Sequence, residues 1–490
     1  MTPSVPLVYW FRSDLRLRDN PAWVQACALN QPLLAVVFEP HMASTEQRWG
    51  CLQPGAHRLA WWHANVRALQ LELAQHGVTL LVLRGTAVEV LQTVANKVGA
   101  VAIHCEEIAA PYERAEVQAL QHVGFEVHTH WGSTLFEEQQ LPFAVDELPA
   151  VFSQFRNLVE RARTPVPAPL AAPQHVHGFS IASETAASFA PWAAILPAEQ
   201  LCMDARSAFV WGGDTGSTVR AGNAGAHAYL DAYFSSDRVA QYKATRNGLI
   251  GMAYSSKWSP WLAVGAVSAR EILEALRTYE QRQGANDGSY WLWFELLWRE
   301  YFRWLHKQYG DALYRRRGLS EIARPVVATK HQRAFAHWTQ GRTGCGLVDA
   351  GMRELNQTGY MHNRVRMVVA SFLCKHLLIN WQWGEAYFAE KLLDFELASN
   401  VGNWQWAAGT GADAAPYFRV FNPTTQGQRF DPQGEFIRTW VTELADIPAA
   451  YVHQPHDWLR LKGGRGYPAP MVDHAVARVR AIEMFRSLEK

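Results

Sequence analysis

The first 131 residues alternate short apolar runs with amphipathic stretches, and this alternation restricts the fold more than any other feature of the chain. The apolar runs predict strands at 5–11, 32–40, 79–85, 100–107 and 126–131, and the stretches between them predict helices at 57–75, 88–98 and 112–122. Such alternation is typical of an α/β fold with a parallel, doubly wound, Rossmann-like sheet, which binds ligands beyond the carboxyl ends of its strands. No GxGxxG follows the first strand, so we expect no nicotinamide cofactor there.

The character of the sequence changes after residue 132. The stretch 133–209 contains TPVPAPLAAPQ, and its Pro and Ala content predicts an extended linker over the surface. Helical periodicity dominates from about 218 onward. We therefore predict an α/β domain over 1–132, a linker over 133–209 and an all-helical domain over 210–490. The helices predicted in the last part are 222–234, 269–281, 290–306, 333–340, 348–358, 363–378, 383–392, 434–440 and 471–488.

Composition narrows the class of protein. The net charge is +1 and the pI about 7.8, so a surface that binds nucleic acid must be local. Six scattered cysteines without CxxC or Cys/His metal spacing predict a reducing compartment and no metal site. No signal peptide and no uninterrupted apolar span are evident, so we expect a cytoplasmic location without a membrane partner. The 21 tryptophans are unusual and are typical of surfaces that grip flat ligands, bases or partners.

The stretch 359–417 combines tryptophans with polar residues that, from the apolar sequence around them, are expected to be buried. Burying such polar groups is costly unless they are paired, and a large flat ligand with polar edges would pair them. The tryptophans are Trp381, Trp383, Trp404 and Trp406, and the polar residues are Asn363, Arg366, Asp394 and Asn400.

A helix over 291–303 would place five residues on one face. They are Trp291, Glu295, Trp298, Arg299 and Phe302. A carboxyl group ringed by aromatic side chains has a raised pKa and can act as a hydrogen-bond partner or proton donor. The alternative is an ordinary amphipathic helix with a Glu295–Arg299 ion pair.

A helix from 363 would place Asn363, Arg366, Met367 and Ala370 on one apolar face. Arg366 there needs a buried anion, for which Asp394 is a candidate, either at a ligand site or in a structural salt bridge.

The stretch 253–259, AYSSKWS, can bind phosphate before a helix, or it is an ordinary capped turn. Interleaved basic and aromatic residues would suit a DNA strand with an extruded base, although a solvated face is the usual alternative for a charge run. They are Arg315, Arg316, Arg317, Lys330, Arg333, Arg342, Arg364, Trp406, Arg419 and Arg429.

Together, these stretches resemble the photolyase/cryptochrome family over nearly the whole chain. The opening YWFRSDLRLRDNPAW resembles the N-terminal signature of the family. LPAVFSQFRNLVE, TRNGLIG, AYSSKWSPWLAVGAVS and YWLWFELLWREYFRW are similar to DASH cryptochromes. TGYMHNRVRMVVASFL and GNWQWAAGTGADAAPYFRVFNPTTQGQRFDPQGEFIRTW resemble class I cyclobutane pyrimidine dimer photolyases.

The resemblance implies an N-terminal antenna domain and a folded FAD in the helical domain. It implies that a serine-rich turn holds the phosphates and ribityl chain, and that charged and amide side chains line the flavin, with Asn400 beside its N5. The first group is Tyr242, Ser255, Ser256, Lys257, Trp258 and Ser259, and the second is Glu295, Arg299, Asn363, Arg366, Asp394, Glu396 and Asn400. The family usually has Asp where this chain has Glu396.

The implied reaction is light-driven electron transfer from reduced flavin to a pyrimidine dimer that is flipped out of DNA, so that the cyclobutane ring splits. By the same resemblance, Trp298 and Trp406 flank the dimer, Glu295 bonds its carbonyl edge and Met367 packs beside it. Arg364 and Arg419 would contact the DNA together with the two tryptophans. The alternative is a DASH-type cryptochrome that repairs only single strands or signals in blue light; a flavin photoreceptor without repair is a third reading. A monomer is the family expectation.

Two positions depart from the family pattern. Trp404 and Trp381 match the first two tryptophans of the usual photoreduction chain, but the distal position falls on Ala328, with Trp383 or Trp338 as substitutes. The folate-binding enzymes have Asn-Glu where this chain has Tyr112-Glu113. The resemblance therefore leaves open whether the antenna chromophore is methenyltetrahydrofolate, another compound or absent.

Overall fold

Five parallel strands form the N-terminal sheet of the computed structural model, in the spatial order β3-β2-β1-β4-β5. They are β1 (Leu7–Phe11), β2 (Leu33–Phe38), β3 (Leu80–Leu83), β4 (Ala102–Glu106) and β5 (Glu126–His130). All five predicted strands and the predicted parallel pairing are confirmed. The structure describes residues 5–40, 54–194, 220–251, 254–319, 330–413, 419–462 and 466–488.

The sheet is covered on both faces because successive residues of β1 point to opposite sides. Leu7 and Tyr9 belong to one apolar core, whereas Val8 belongs to another. The helices here are α1 (Pro21–Ala28), α2 (Ala56–Gln75), α3 (Ala87–Val98) and α4 (Pro111–His122). Since β1 lies between β2 and β4, the chain changes direction across the sheet at β1, and the strand ends there open a crevice.

The segment after the sheet is not extended throughout, contrary to the prediction. Within it, α5 (Phe152–Arg161) and α6 (Ser183–Ala187) are helical. Phe152, Phe155 and Val159 repeat at helical spacing and are buried in the core of the helical domain. Part of the predicted linker therefore builds the helical domain. The domain boundaries stay predictions, and the one at 209/210 lies outside the described residues.

The C-terminal part is helical, as predicted, and its central helix is α11, which begins after the capping residue Asn286. In chain order the helices are α7 (Gly222–Phe234), α8 (Arg238–Thr245), α9 (Ser259–Val264), α10 (Ala269–Gln283), α11 (Asp287–Tyr309), α12 (Lys330–Thr339), α13 (Gly346–Thr358), α14 (Asn363–Ser371), α15 (Trp381–Lys391), α16 (Leu397–Ala408), α17 (Pro423–Phe430), α18 (Glu435–Trp440), α19 (His456–Leu461) and α20 (His474–Leu488). The α/β class with a helical second part is thus confirmed.

Several helices differ from the sequence prediction, among them α14 and α16. The helix predicted over 363–378 ends at Ser371, and a π-helical turn, Phe372–His376, follows it. The helix α16 was not predicted; Glu396, a less common capping residue than Ser or Asp, accepts the backbone N–H groups of Ala398 and Ser399. In the parts of the chain that the structure describes, no helix is long and apolar enough to cross a membrane.

Candidate functional site: a flavin-sized cavity in the helical domain

A solvent-open cavity of about 1570 Å³ lies between α8, α9, α11, α14 and α16. Most residues that the sequence singled out line it, although 164 positions separate Tyr242 from Trp406 along the chain, and their individual roles stay predictions. They are Tyr242, Ser255, Ser256, Lys257, Trp258, Ser259, Glu295, Trp298, Arg299, Asn363, Arg364, Arg366, Met367, Asp394 and Trp406. Among the described residues, no group of His, Cys, Asp and Glu is arranged to hold a metal ion.

A smaller cavity of about 570 Å³ adjoins the first and shares Asn363, Arg366 and Asp394 with it. Asn400, Glu396 and Trp404 line this smaller cavity. Trp381 is buried outside the residues that line either cavity, and Arg419 is exposed. We refer to the two adjoining cavities together as the FAD cavity.

Arg366 and Asp394 form the ion pair that the sequence suggested. Arg366 Nη2 donates to both Asp394 oxygens, at 2.9 and 2.8 Å, and its Nε donates to the Met361 carbonyl at 2.7 Å. Ser259 Oγ donates to the same carboxylate at 2.7 Å. Because the carboxylate is buried, these bonds offset the cost of removing it from water. The pair can offer donors and acceptors to the polar edge of a flat ring.

The serine-rich turn before α9 presents hydroxyls and one buried ammonium. Ser255 and Lys257 both have positive φ, 64° and 59°, a conformation that non-glycine residues rarely adopt and that is common at binding sites. Lys257 is only 2% exposed and its Nζ donates to the Tyr360 hydroxyl at 3.0 Å. Burial lowers the pKa of Lys257 to about 8, and burial raises that of nearby Glu354 to about 8. Neither Tyr360 nor Glu354 was predicted from the sequence.

Glu295 pairs with Arg246, which the sequence did not indicate. Arg299, the alternative partner, instead donates to the Ser133 carbonyl at 2.8 Å. The Arg246 guanidinium also lies over the Trp291 ring, 4.2 Å from its centroid. Burial raises the pKa of Glu295, and Arg246 opposes that rise. The carboxyl group in the cavity is therefore protonated more readily than an exposed glutamate.

His362 joins α14 to the segment that carries Arg246. Its Nδ1 accepts the Arg364 backbone N–H at 3.0 Å, and its Nε2 lies 2.9 Å from the Arg246 carbonyl. These partners require a neutral ring with the proton on Nε2. Burial and the charge of Lys257 lower the pKa of His362 to about 3, which keeps the ring neutral.

A basic and aromatic rim borders the cavity. Arg364 Nη2 donates to Asn247 Oδ1 at 3.0 Å, and its guanidinium lies 4.6 Å from the Phe430 centroid. The Arg429 guanidinium lies over the same ring, 5.2 Å from its centroid. Sequence analysis named both arginines but neither neighbour. A local positive rim agrees with the absence of an overall basic charge.

Glu396 and Asn400 line the smaller cavity and are absent from the lining of the larger one. Glu396 caps α16 and pairs with Arg303 at 3.1 Å. Burial opposes its ionisation, but Arg303, Arg299 and the bonds from Ser399 outweigh burial and lower its pKa to about 2. The Asn400 amide nitrogen donates to the Glu385 carboxylate at 2.8 Å. The longer side chain at 396 is thus held by protein groups and not by the open cavity.

Trp404 is in ring contact with Trp338, at a centroid distance of 6.2 Å, and with Phe388 at 5.0 Å. Trp338 continues through Phe335 to the partly exposed Trp383, with centroid distances of 5.7 and 5.3 Å. Ala328, the predicted distal position, lies outside the described residues.

A second cavity, of about 1230 Å³, lies between the sheet and the helical domain. The carboxyl ends of β1, β2 and β4 open into it, as expected where the strand order reverses. Tyr112 and Glu113, the predicted antenna residues, line this interdomain cavity. The Glu113 Oε2 atom is buried without a hydrogen-bond partner among the described residues, so a ligand donor would satisfy it.

Comparison with known proteins agrees with this arrangement. Residues 7–174 match the family profile described as DNA photolyase, and residues 291–487 match the FAD binding domain of DNA photolyase. A cryptochrome DASH from Synechocystis sp. is 38% identical over 490 residues, covering 96% of each protein. A Synechocystis sp. PCC6803 cryptochrome structure has a TM-score of 0.85 at 34% identity and covers 99% of this chain and 100% of its own. For a class III photolyase from Agrobacterium tumefaciens, the TM-score is 0.79 at 30% identity, with 100% and 98% covered.

The residues present fit FAD. Hydroxyls and the Lys257 ammonium suit a pyrophosphate, and the Arg366–Asp394 pair suits the polar edge of the ring system. Together with the matched profiles, this cavity and the sheet in front of it show that the chain belongs to the photolyase/cryptochrome family and carries its FAD-binding domain.

Proposed function

We propose that the protein repairs cyclobutane pyrimidine dimers in DNA in a light-driven reaction. One observation carries the proposal: Glu295, Trp298 and Trp406 line the same cavity as the Arg366–Asp394 pair. Groups suited to hold a dimer thus face groups suited to hold a flavin. When bound and reduced, FAD supplies a light-absorbing electron donor at this place.

DNA would meet the protein at the rim formed by Arg364, Arg429 and Phe430. Guanidinium groups neutralise phosphates, and an aromatic ring can stack on a base that has lost its neighbour. A dimer is extruded more easily than an intact base because it is poorly paired. Trp298 and Trp406 border the open cavity, where a flipped dinucleotide would lie above the cofactor.

Inside the cavity, the protein's residues orient the lesion and exclude water. Trp298 and Trp406 bind the apolar faces of the dimer, and Met367 packs beside it. Glu295 donates a hydrogen bond to the carbonyl edge when its carboxyl group is protonated, and so stabilises negative charge on the dimer. Arg246 holds Glu295 in place.

The experiment is blue-light repair of one defined thymine dimer, in matched single-stranded and duplex oligonucleotides, by the reduced holoprotein. Repair of both substrates supports a photolyase that acts on duplex DNA. No repair of either contradicts the proposal.

Two variants test the site. Glu295→Ala and Trp298→Ala should each impair repair by at least about tenfold while FAD stays bound, since each removes an interaction with the lesion. Tyr290→Phe is a matched control, because the Tyr290 hydroxyl donates to Glu160 at 3.2 Å and Tyr290 does not line the cavity among the described residues. Full repair by both alanine variants would refute the assigned site.

A second candidate is repair confined to single strands, as in the DASH alternative. It is favoured by the names of the relatives that match along the whole chain. Repair of the single strand alone in the same experiment would select it.

We also propose that the interdomain cavity holds an antenna chromophore of the folate class or another flat compound. Glu113 would bind its polar edge. Chromatography of acid-released cofactors tests this: a second chromophore besides FAD, lost in Glu113→Ala, supports it, and FAD alone contradicts it.

A further inference from the structure

Glu354 is a buried acidic residue whose carboxyl group has no hydrogen-bond partner among the described residues. It lies on α13 and is 1% exposed, and neither of its carboxyl oxygens is bonded. An ionised carboxylate in this position would lose its hydration without a compensating bond, which costs more than burying the neutral acid. The surroundings therefore favour the protonated form of Glu354.

Glu354 acts on the FAD cavity through Lys257. Among the described residues, Lys257 lines that cavity and Glu354 does not, but the charge of each shifts the pKa of the other. Thr358 Oγ1 donates to the Glu354 carbonyl at 2.7 Å and accepts the Tyr360 N–H at 3.1 Å. The Tyr360 hydroxyl in turn accepts a hydrogen bond from Lys257 Nζ at 3.0 Å. These bonds fix the end of α13 relative to the ammonium group.

Lys257 has no carboxylate as a direct partner in the part of the chain that the structure describes. Its Nζ bonds the Tyr360 hydroxyl and lies 4.6 Å from the centroid of that ring. The nearby Asp394 is bonded to Arg366 instead. The positive charge of Lys257 can thus be balanced from two sides, by Glu354 inside the protein or by an anion in the FAD cavity.

The charges around the two residues let both titrate in the same pH range. Burial raises the pKa of Glu354 to about 8, and the charges of Lys257 and Arg366 oppose the rise. Burial lowers the pKa of Lys257 to about 8, and the charge of Glu354 opposes that fall. Arg366 adds to the fall and Asp394 opposes it. His362, which the Lys257 charge also affects, is neutral in this range. Within the described residues, no charged group of α12, α17 or α18, which also pack against α13, adds to these shifts.

We propose that Glu354 and the pyrophosphate of FAD compete for the charge of Lys257, so that Glu354 is a positioning residue that sets how FAD affinity depends on pH. FAD binds tightly while Glu354 is protonated and Lys257 is charged. When Glu354 gives its proton to solvent, its carboxylate balances Lys257 from within the protein, and the attraction for the cofactor falls. The proposal rests on FAD binding and does not depend on the proposed repair activity.

This competition has a specific pH profile. With FAD bound, Glu354 and Lys257 both keep their protons, whereas without FAD both lose them as pH rises through about 8. FAD affinity is therefore constant below that range and falls as pH rises above it. A residue that only supports the fold would change the affinity equally at every pH.

The first test is the dissociation constant of FAD at pH 6 and pH 9, measured from the flavin fluorescence that appears when the holoprotein is diluted. Glu354→Gln mimics the neutral acid, so it should bind FAD like the wild-type protein at pH 6. At pH 9 it should bind about tenfold more tightly than wild type, because the competing carboxylate is absent and one proton changes the affinity tenfold per pH unit. Titration of FAD itself acts equally in both proteins and cancels.

The second test is the infrared spectrum of the holoprotein at pH 7. The wild-type protein should show a band of a protonated carboxyl group that is missing in Glu354→Gln. If the two spectra do not differ there, Glu354 is ionised beside bound FAD and the proposal is wrong.

Lys257→Met keeps the proposal testable if Glu354→Gln does not fold. It removes the charge for which the two anions compete, so FAD should bind more weakly at pH 6, and its affinity should no longer fall as pH rises through about 8. Glu443→Gln is the matched control. Its carboxylate accepts from Arg353 Nη2 of α13 at 2.9 Å and does not line the FAD cavity among the described residues, so the pH profile should stay that of the wild type.

Two results overturn the proposal. One is a wild-type pH profile in Glu354→Gln or Lys257→Met. The other is FAD binding by Glu354→Gln that is equally weakened at both pH values, as expected of a residue that only supports the fold. No DNA is present in either test, so a failure here is distinct from a failure of the proposed repair.

Discussion

The ring of Phe152 lies flat against the indole of Trp298, with centroids 3.7 Å apart and planes inclined by 12°. Phe152 begins α5, in the segment that joins the two domains, and Trp298 lines the FAD cavity from α11. One face of Trp298 is thus fixed by stacking, and its orientation is set before any ligand binds.

We therefore predict that Phe152→Leu weakens the binding of dimer-containing DNA by about tenfold, which corresponds to about 1.4 kcal/mol. The reason is that Trp298 is no longer held in the orientation in which it stacks on the dimer. Affinity for undamaged DNA should not change, because the basic rim is intact. Binding of the two DNAs, measured by fluorescence anisotropy, checks this.

Phe155→Leu is the control for general destabilisation. Phe155 is fully buried on the same helix and contacts Phe143 and Tyr301. If it lowers dimer affinity as much as Phe152→Leu does, the stack on Trp298 has no special role.

The pH dependence of repair should follow the protonation of Glu295. Its pKa is raised by burial, and a carboxyl group donates a hydrogen bond only when it is protonated. Repair should therefore fall as pH rises through that pKa. Removal of Arg246, which favours the charged form, should move the fall to higher pH in Arg246→Met.

Glu295→Gln separates this effect from other titrations. Its amide remains a donor at every pH, so the repair rate, measured under saturating light, should lose this pH dependence. An unchanged profile in Glu295→Gln would mean that another group titrates.

The sequence predicted the five strands and their parallel pairing, but not their spatial order. Strands that are buried on both faces are continuous apolar runs, such as Leu33–Phe38. The sequence also indicated the Arg366–Asp394 pair, since an arginine on an apolar helix face needs a buried anion. These inferences depend on local pattern or on a single strong physical requirement.

Contacts between remote segments could not be predicted in this way. Arg246 reaches Glu295 across 49 residues, and no periodic pattern connects them. Likewise, α5 was not predicted, because it lies in a segment whose Pro and Ala content indicated a linker. Phe152, Phe155 and Val159 nevertheless have helical spacing. The sequence showed that Glu396 departs from the family pattern. It could not show that Glu396 pairs with Arg303, because that contact depends on how α11 packs against the loop before α16.

Acid should destabilise the protein partly through His362. The unfolded ring binds a proton near its ordinary pKa of 6.5, whereas the folded ring binds one only near 3. Between these values the unfolded state holds more protons, so stability falls as pH drops through that window. The contribution of one group is at most about 1.4 kcal/mol per pH unit.

His362→Asn tests this because an asparagine oxygen can still cap α14 but does not titrate. The free energy of unfolding in urea, measured between pH 7 and 4, should fall less steeply in the variant. Other buried histidines, such as His104 with a pKa of about 4, act equally in both proteins and cancel in the difference. Parallel pH curves would contradict the prediction.

Trp338 should carry electrons when oxidised flavin is photoreduced. It is fully buried, is in ring contact with Trp404, and leads through Phe335 to the partly exposed Trp383. We expect Trp338→Phe to slow photoreduction several-fold, followed by absorbance under blue light with an added thiol as the final electron donor. Repair by protein that was first reduced chemically should be unaffected, because the flavin then needs no electron from the chain.

Trp381→Phe is the informative comparison, since Trp381 is the position that the family pattern favours and its Nε1 donates to the Arg316 carbonyl at 2.9 Å. A loss in Trp338→Phe that exceeds the loss in Trp381→Phe places the main route through Trp338. A larger loss in Trp381→Phe would place the main electron route through Trp381. The ring contact between Trp404 and Trp338 would then contribute to packing alone.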